Sequence, residues 1–191
     1  MAYTTLALLR TYLGIADGKT DDDTLLTALL AQAQLMIEQD RNRVFEADTN
    51  TRYYDRFAFT GQELLVDEDL LTVTQLLNGD SASTEIASGN YWLLPRNETP
   101  YQVIRLKSGY LWQVDIDFEI SVAGTWGYTA TAPDDIIFAN WRLAAYLYRN
   151  RDSQVFDVTA DLDSGQLIIP KGMPADVRVI LDRYPRRQVI G

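Results

Sequence analysis

Apolar positions change their period twice along this chain, which predicts helical ends around a β-rich middle. Leu6, Leu9 and Leu13 fall on one side of a predicted short helix that Thr4 or Thr5 caps and Gly14 stops. Leu25/Leu26, Leu29/Leu30, Ala33 and Met36/Ile37 recur at helical spacing and predict a second helix to about Arg41. Thr20 or a following aspartate caps it, and the carboxylates of Asp21, Asp22 and Asp23 suit the positive end of its dipole. Capping accounts for that acidic triplet without a ligand.

From Thr51 the period shortens to that of strands. Arg52–Phe59, Glu63–Val66, Leu70–Leu77, Asn90–Leu94 and Gln102–Lys107 read as short strands, with Asp67-Glu68-Asp69 and Asn78-Gly79-Asp80 as turns. The strictest alternation is in Val114–Val122. There Val114, Ile116, Phe118, Ile120 and Val122 are interleaved with Asp115, Asp117, Glu119 and Ser121, predicting a strand with one buried and one polar face.

Pro133 then opens a predicted helix to Arg151, with Asp134 and Asp135 in its first turn and Arg149 near its end. Ile137, Trp141, Ala144, Ala145 and Tyr148 form one apolar stripe; Ile136, Ala139, Leu143, Tyr146 and Leu147 form a second. A surface helix normally carries one such stripe. Two predict burial on both sides, within one domain or against a second subunit, and make Ile136, Trp141, Leu143 and Leu147 candidate subunit-interface residues. Ser153–Gly172 reads as a loop with a short strand at Gln166–Ile169. Pro174 starts a last helix carrying Val177, Ile180, Leu181 and Tyr184, and Pro185 stops it. The expected class is α+β, a small helical bundle with an inserted antiparallel β region, in a single domain over residues 1–191. Its parts are N-terminal helices (1–48), a β insertion (51–123), a central helix (132–151) and a C-terminal helix and tail (173–191).

Composition narrows the chemistry. There is no histidine and no cysteine among the 191 residues, which removes Ser-His-Asp and Cys-His catalysis, the usual zinc sites and any disulfide framework. No apolar run of about 18 residues occurs, and the N-terminus lacks a basic start followed by an apolar core, so neither a membrane span nor a secretion signal is expected. Net charge is −10 but uneven: residues 1–50 hold eight acids and four bases, 51–132 eleven and five, and 133–191 eight of each. Such a chain is a poor general binder of nucleic acid, since affinity for phosphates comes from Lys and Arg. Negative charge suits DNA only where it must slide past without sticking.

The order of these pieces resembles the head–tail connector (adaptor) family of tailed phages. The second helix ends in Ile37-Glu38…Arg41-Asn42-Arg43-Val44-Phe45, the β region holds Tyr91…Leu94-Pro95, and Gly124…Gly127-Tyr128…Pro133-Asp134-Asp135-Ile136 leads into Ala145-Tyr146-Leu147-Tyr148-Arg149-Asn150-Arg151. Ile169-Pro170…Gly172-Met173-Pro174-Ala175-Asp176-Val177…Leu181-Asp182-Arg183-Tyr184 is similar to that family's terminal helix. The resemblance implies a virion structural protein of the neck, made in the host cytoplasm. It also implies a ring, typically dodecameric, beneath a portal protein and above a stopper or tail protein, with double-stranded DNA passing through. It implies no enzyme, no cofactor and no membrane partner.

Three constellations remain open. Asp115, Asp117 and Glu119 are a solvated sheet face, a channel-facing acidic surface or, at a spacing wide for one ion, a cation site. Arg183, Arg186 and Arg187 either solvate a tail or dock on a portal or DNA. Tyr53/Tyr54, Tyr91/Trp92, Trp112 and Trp126/Tyr128 sit in an acidic region, which favours core packing or a protein partner over stacked bases. Gly124-Thr125-Trp126-Gly127 has no lysine in phosphate-loop spacing. A carboxylate-based hydrolase of the tail is the alternative function, and another joining protein, such as a tail-completion or stopper protein, is a third.

Overall fold

The computed structural model describes residues 3–16, 18–151, 159–161, 166–168 and 172–187. In chain order its elements are α1 (Leu6–Leu13), α2 (Asp23–Arg41), β1 (Asp48–Tyr54), β2 (Phe59–Thr60), β3 (Glu63–Leu77), β4 (Tyr91–Leu94), β5 (Tyr101–Leu106), β6 (Ile120–Trp126), α3 (Asp134–Asn150), β7 (Thr159–Asp161), β8 (Gln166–Ile168) and α4 (Ala175–Leu181). The mixture of helices and an antiparallel sheet makes the class α+β. The chain clusters into two compact units: a helical one, the residues up to Arg41 with Asp134–Arg186, and a β one, Asn42–Pro133 with Arg187.

In the helical unit the ends follow the local signals. The Thr5 hydroxyl accepts the Leu8 N–H, and Gly14, at φ 71°, turns left-handed so that its N–H reaches the carbonyls at the end of α1. Arg10 then pins the connection to α2, donating to the Ala16 and Lys19 carbonyls and pairing with Asp23 at 3.2 Å. Leu26, Leu30, Ala33 and Ile37 of α2 are buried, as are Ile136, Ala139, Leu143, Ala144 and Ala145 of α3. Asn140, also buried, donates its amide to the Leu30 carbonyl at 3.4 Å. Val177 and Leu181 bury α4, and an antiparallel pair, β7 with β8, lies within the expected loop. The remainder of that loop (152–158, 162–165 and 169–171) lies outside the described residues.

The β unit is a sheet ordered β1-β6-β3-β5-β4, antiparallel throughout, with β2 paired to β3. Its core gathers Tyr54, Leu64, Leu70, Leu76, Ile104, Leu106, Trp112, Ile120, Val122 and Trp126. Gly124 permits close packing between β6 and β3, since a Cβ there would come within 2.1 Å of the Thr72 carbonyl oxygen.

Three sequence expectations fail here. The expected strand Arg52–Phe59 is split, since β1 runs Asp48–Tyr54 and Phe59 belongs to β2. Glu63–Val66 and Leu70–Leu77 are one continuous strand, and Asp67-Glu68-Asp69 is a bulge within it, where the register slips between Leu65 and Leu70. The alternating run Val114–Val122 is a strand only from Ile120 onward. The partners of β6 end where Tyr54 faces Ile120 and Leu77 faces Ser121, so the residues before them have no ladder to join. Local bonds take over: Asp115 N–H donates to the Gly79 carbonyl at 2.8 Å, Phe118 N–H to the Asp115 carbonyl at 3.2 Å, and Asp117 turns left-handed at φ 69°.

Candidate interaction surfaces

The turn that replaces the expected strand builds one wall of a groove of about 540 Å³. Val114–Glu119 form that wall, and Tyr53, Asp55, Arg56 and Phe57, at and after the end of β1, form the other. Apolar side chains of both walls point outward: Ile116 is 88% exposed, Phe57 85% and Tyr53 65%, with Phe118 also exposed. Four carboxylates, those of Asp55, Asp115, Asp117 and Glu119, share the groove with the single guanidinium of Arg56, which lies over the Phe57 ring. Asp115 accepts the Ser81 N–H at 2.8 Å and Asp55 the Phe57 N–H at 2.8 Å, so two of these acids also fix the walls. The carboxylates therefore do not line one face of a strand, and among the described residues no group of His, Cys, Asp or Glu is arranged to hold a metal ion.

The bulge in β3 gathers a second charged cluster. Asp69 is 2% exposed and faces two arginines, Arg43 Nε at 2.7 Å and Arg187 Nε at 3.4 Å. Arg187 also donates to the Asp67 and Val66 carbonyls, and Asn42 donates to the Arg187 carbonyl at 3.3 Å. On the outer side Arg52 pairs with Asp67 at 2.7 Å and with Glu68, and lies over the Trp126 ring; the Tyr54 hydroxyl donates to Asp67 at 2.6 Å. Burial pushes the Asp69 carboxyl above the usual carboxylate range, partly offset by Arg43 and Arg187. Burial, with the hydrogen bond to Asp67, also pushes the Tyr54 phenol upward.

This cluster divides the three C-terminal arginines. Arg187 is committed to Asp69 inside the β unit. Arg183, in the helical unit, lies 3.7 Å from Asp135, whose carboxylate also accepts the Tyr184 hydroxyl. Arg186 is exposed and forms no ion pair among the described residues. Only Arg183 and Arg186 keep charge available to a partner. Sequence reasoning missed the Arg187 seat because no local pattern links it to Asp69; the acidic triplet itself was the visible half.

The candidate interface helix divides as well. Ile136 and Leu143 are fully buried within the chain and have no surface to offer a neighbour. Trp141 and Leu147 are half-buried. Trp141 donates its indole N–H to the Thr4 hydroxyl at 2.6 Å, and its ring lies 6.2 Å from Tyr12, which meets the exposed Phe138 edge-on at 6.1 Å. Trp141, of the first stripe, and Phe138 thus form an aromatic ridge of α3 shared with α1. At the far edge of the sheet Trp92 holds two cations against its ring, Arg96 at 3.6 Å and Lys107 at 3.8 Å, beside a hollow of about 400 Å³.

No protein-family model matches this sequence, and no curated protein matches it. Solved structures do. A chain in the neck of an empty GTA particle, computed with C6 symmetry, superposes with a TM-score of 0.70 at 20% identity, over 99% of this chain and 92% of that one. A chain in the neck of a native GTA particle, computed with C12 symmetry, gives 0.66 at 20% identity, over 97% and 90%. A chain in the virion of the native gene transfer agent (GTA) gives 0.65 at 21% identity, over 99% and 92%. The fold is therefore shared along almost the whole length of both partners.

Proposed function

We propose that this chain is a structural protein of the neck of a phage-like particle, a head–tail connector that forms a ring beneath the portal and through which double-stranded DNA passes. The observation that carries the proposal is the superposition on a GTA neck chain over 99% of this chain and 92% of that one. Those necks were computed with C6 and C12 symmetry, which fits a closed ring. In such a ring every copy offers two different patches, one to each neighbour.

The C-terminal segment from Pro174, which the sequence suggests as a portal-docking element, is proposed instead as a docking element between copies of the ring, with Arg183 and Arg186 as its available cations. The acidic groove suits a protein partner better than a channel wall: a surface that DNA slides past has no use for exposed Ile116 and Phe118. A hydrolase built on carboxylates needs an acid with a raised pKa facing a substrate cleft. Asp69 is raised, but it is sealed from solvent and held by two arginines, so it favours a structural role.

Electron microscopy of the protein mixed with the portal of its own particle tests the reading. A ring added to the portal's lower face is the expected result. A persistent monomer that never binds overturns it, and a ring found only elsewhere in the particle points to another joining protein.

A further inference from the structure

We infer that the groove between Phe57 and Ile116 receives the α4 end of the next copy in the ring, through Val179, Arg183 and Arg186. The inference rests on the ring reading above and specifies its contact.

Asp55 and Asp115 fix the walls of the groove, but its exposed apolar side chains have no internal task. The core of the β unit is closed without Phe57, Ile116 or Phe118, which lie outside it. Exposed apolar side chains gathered in one concave place and rimmed by polar ones mark an interaction site. Two such grooves cannot face each other, because each holds four carboxylates against one guanidinium and like charges brought together across an interface are costly. A self-complementary pair is therefore disfavoured, and the occupant has to be apolar and basic.

The chain carries a surface of that chemistry. Val179 is 60% exposed on α4. Arg183 lies just beyond the end of α4, exposed and only loosely tied to Asp135 at 3.7 Å, an arrangement readily exchanged for another carboxylate. Arg186 is exposed beyond it. The neighbouring acids are already engaged, Asp176 with Arg142 and Asp182 with Arg41 at 3.4 Å. The exposed Arg178, Arg183 and Arg186 outnumber the exposed Asp176 and Asp182, so the charge at this end is net basic. One acidic groove and one basic, apolar helix end on every copy satisfy a head-to-tail contact that closes into a ring.

The absence of native cysteine makes a direct test clean. Ile116→Cys with Val179→Cys, and Glu119→Cys with Arg186→Cys as a second register, are oxidised mildly with the protein assembled on its portal, and electron microscopy of the same sample reports whether rings are present. All four positions are exposed, so the fold tolerates the changes. The expected result is a ladder of disulfide-linked multimers from at least one double variant, with no product beyond a dimer from any single variant. Rings that form but give no ladder with either pair overturn this contact and leave the ring reading standing. Wild-type protein that never assembles, free or with the portal, overturns both.

Discussion

Arg187 and Asp69 meet as a buried ion pair, with Arg43 on the other carboxylate oxygen of the same aspartate. One carboxylate thus holds two guanidinium groups away from water. Removing it strands two cations, so Asp69→Ala is expected to destabilise the β unit by about 3–5 kcal/mol. Arg187→Ala leaves Arg43 in place and is expected to cost less, about 1–3 kcal/mol. Urea unfolding followed by tryptophan fluorescence measures both, and a double-mutant cycle isolates the pair.

What sequence reading could recover here was whatever local chemistry decides. Thr5, Gly14 and Pro174 mark helix ends through their own backbone preferences, and the helices fall where those residues put them. Strand limits are decided by neighbours instead. Period two in Val114–Val122 is real, yet six of its residues lack a partner strand, and the polar-apolar alternation becomes a turn that throws Ile116 into solvent. Asp67-Glu68-Asp69 has the composition of a turn but is carried through as a bulge, because apolar residues on both sides belong to one core and Arg43, Arg52 and Arg187 neutralise it. The double stripe on α3 was legible; which residues of each stripe close inside the chain was not, since Ala144 and Ala145 of one and Ile136, Ala139 and Leu143 of the other are buried while Trp141 and Leu147 stay half-buried.

Gly124 tests the sheet. An added Cβ meets the Thr72 carbonyl oxygen at 2.1 Å, and that atom is strand backbone, which cannot swing aside as a side chain would. Gly124→Ala is expected to cost about 3 kcal/mol, the upper end for overpacking. Gly89→Ala, where nothing lies within 4 Å, is the control and should leave urea midpoints almost unchanged.

Ile136 and Leu143 test the division of α3. Both are fully buried, so alanine at either is expected to cost about 2–5 kcal/mol. The loss should be independent of protein concentration. Were these residues closing a contact between copies, thermal midpoints of wild type would rise with concentration and those of the variants would not.

Asp176 tests pH dependence. Its hydrogen bond from Arg142 holds the carboxyl below its ordinary value of 3.8. The folded state therefore binds fewer protons than the unfolded one, and the gain is present above that value and lost as pH falls through the lower, folded one. Both side chains are largely exposed, which limits the gain to about 0.2–1 kcal/mol. Asp176→Asn should be less stable than wild type at neutral pH, and the difference should vanish once acid protonates the wild-type carboxyl.

Phe57 and Ile116 separate assembly from folding. Each is more than four-fifths exposed, so serine at either removes almost no buried area and is expected to change unfolding free energy by no more than about 0.5 kcal/mol. An apolar contact with a neighbour would bury that area on assembly instead, where a fully buried large side chain contributes about 1.5–3 kcal/mol. Phe57→Ser and Ile116→Ser should therefore unfold at wild-type urea concentrations while the ring fraction on the portal falls roughly tenfold or more. Equal assembly by wild type and both variants, measured by mass on the same samples, would leave the groove without a role in the ring.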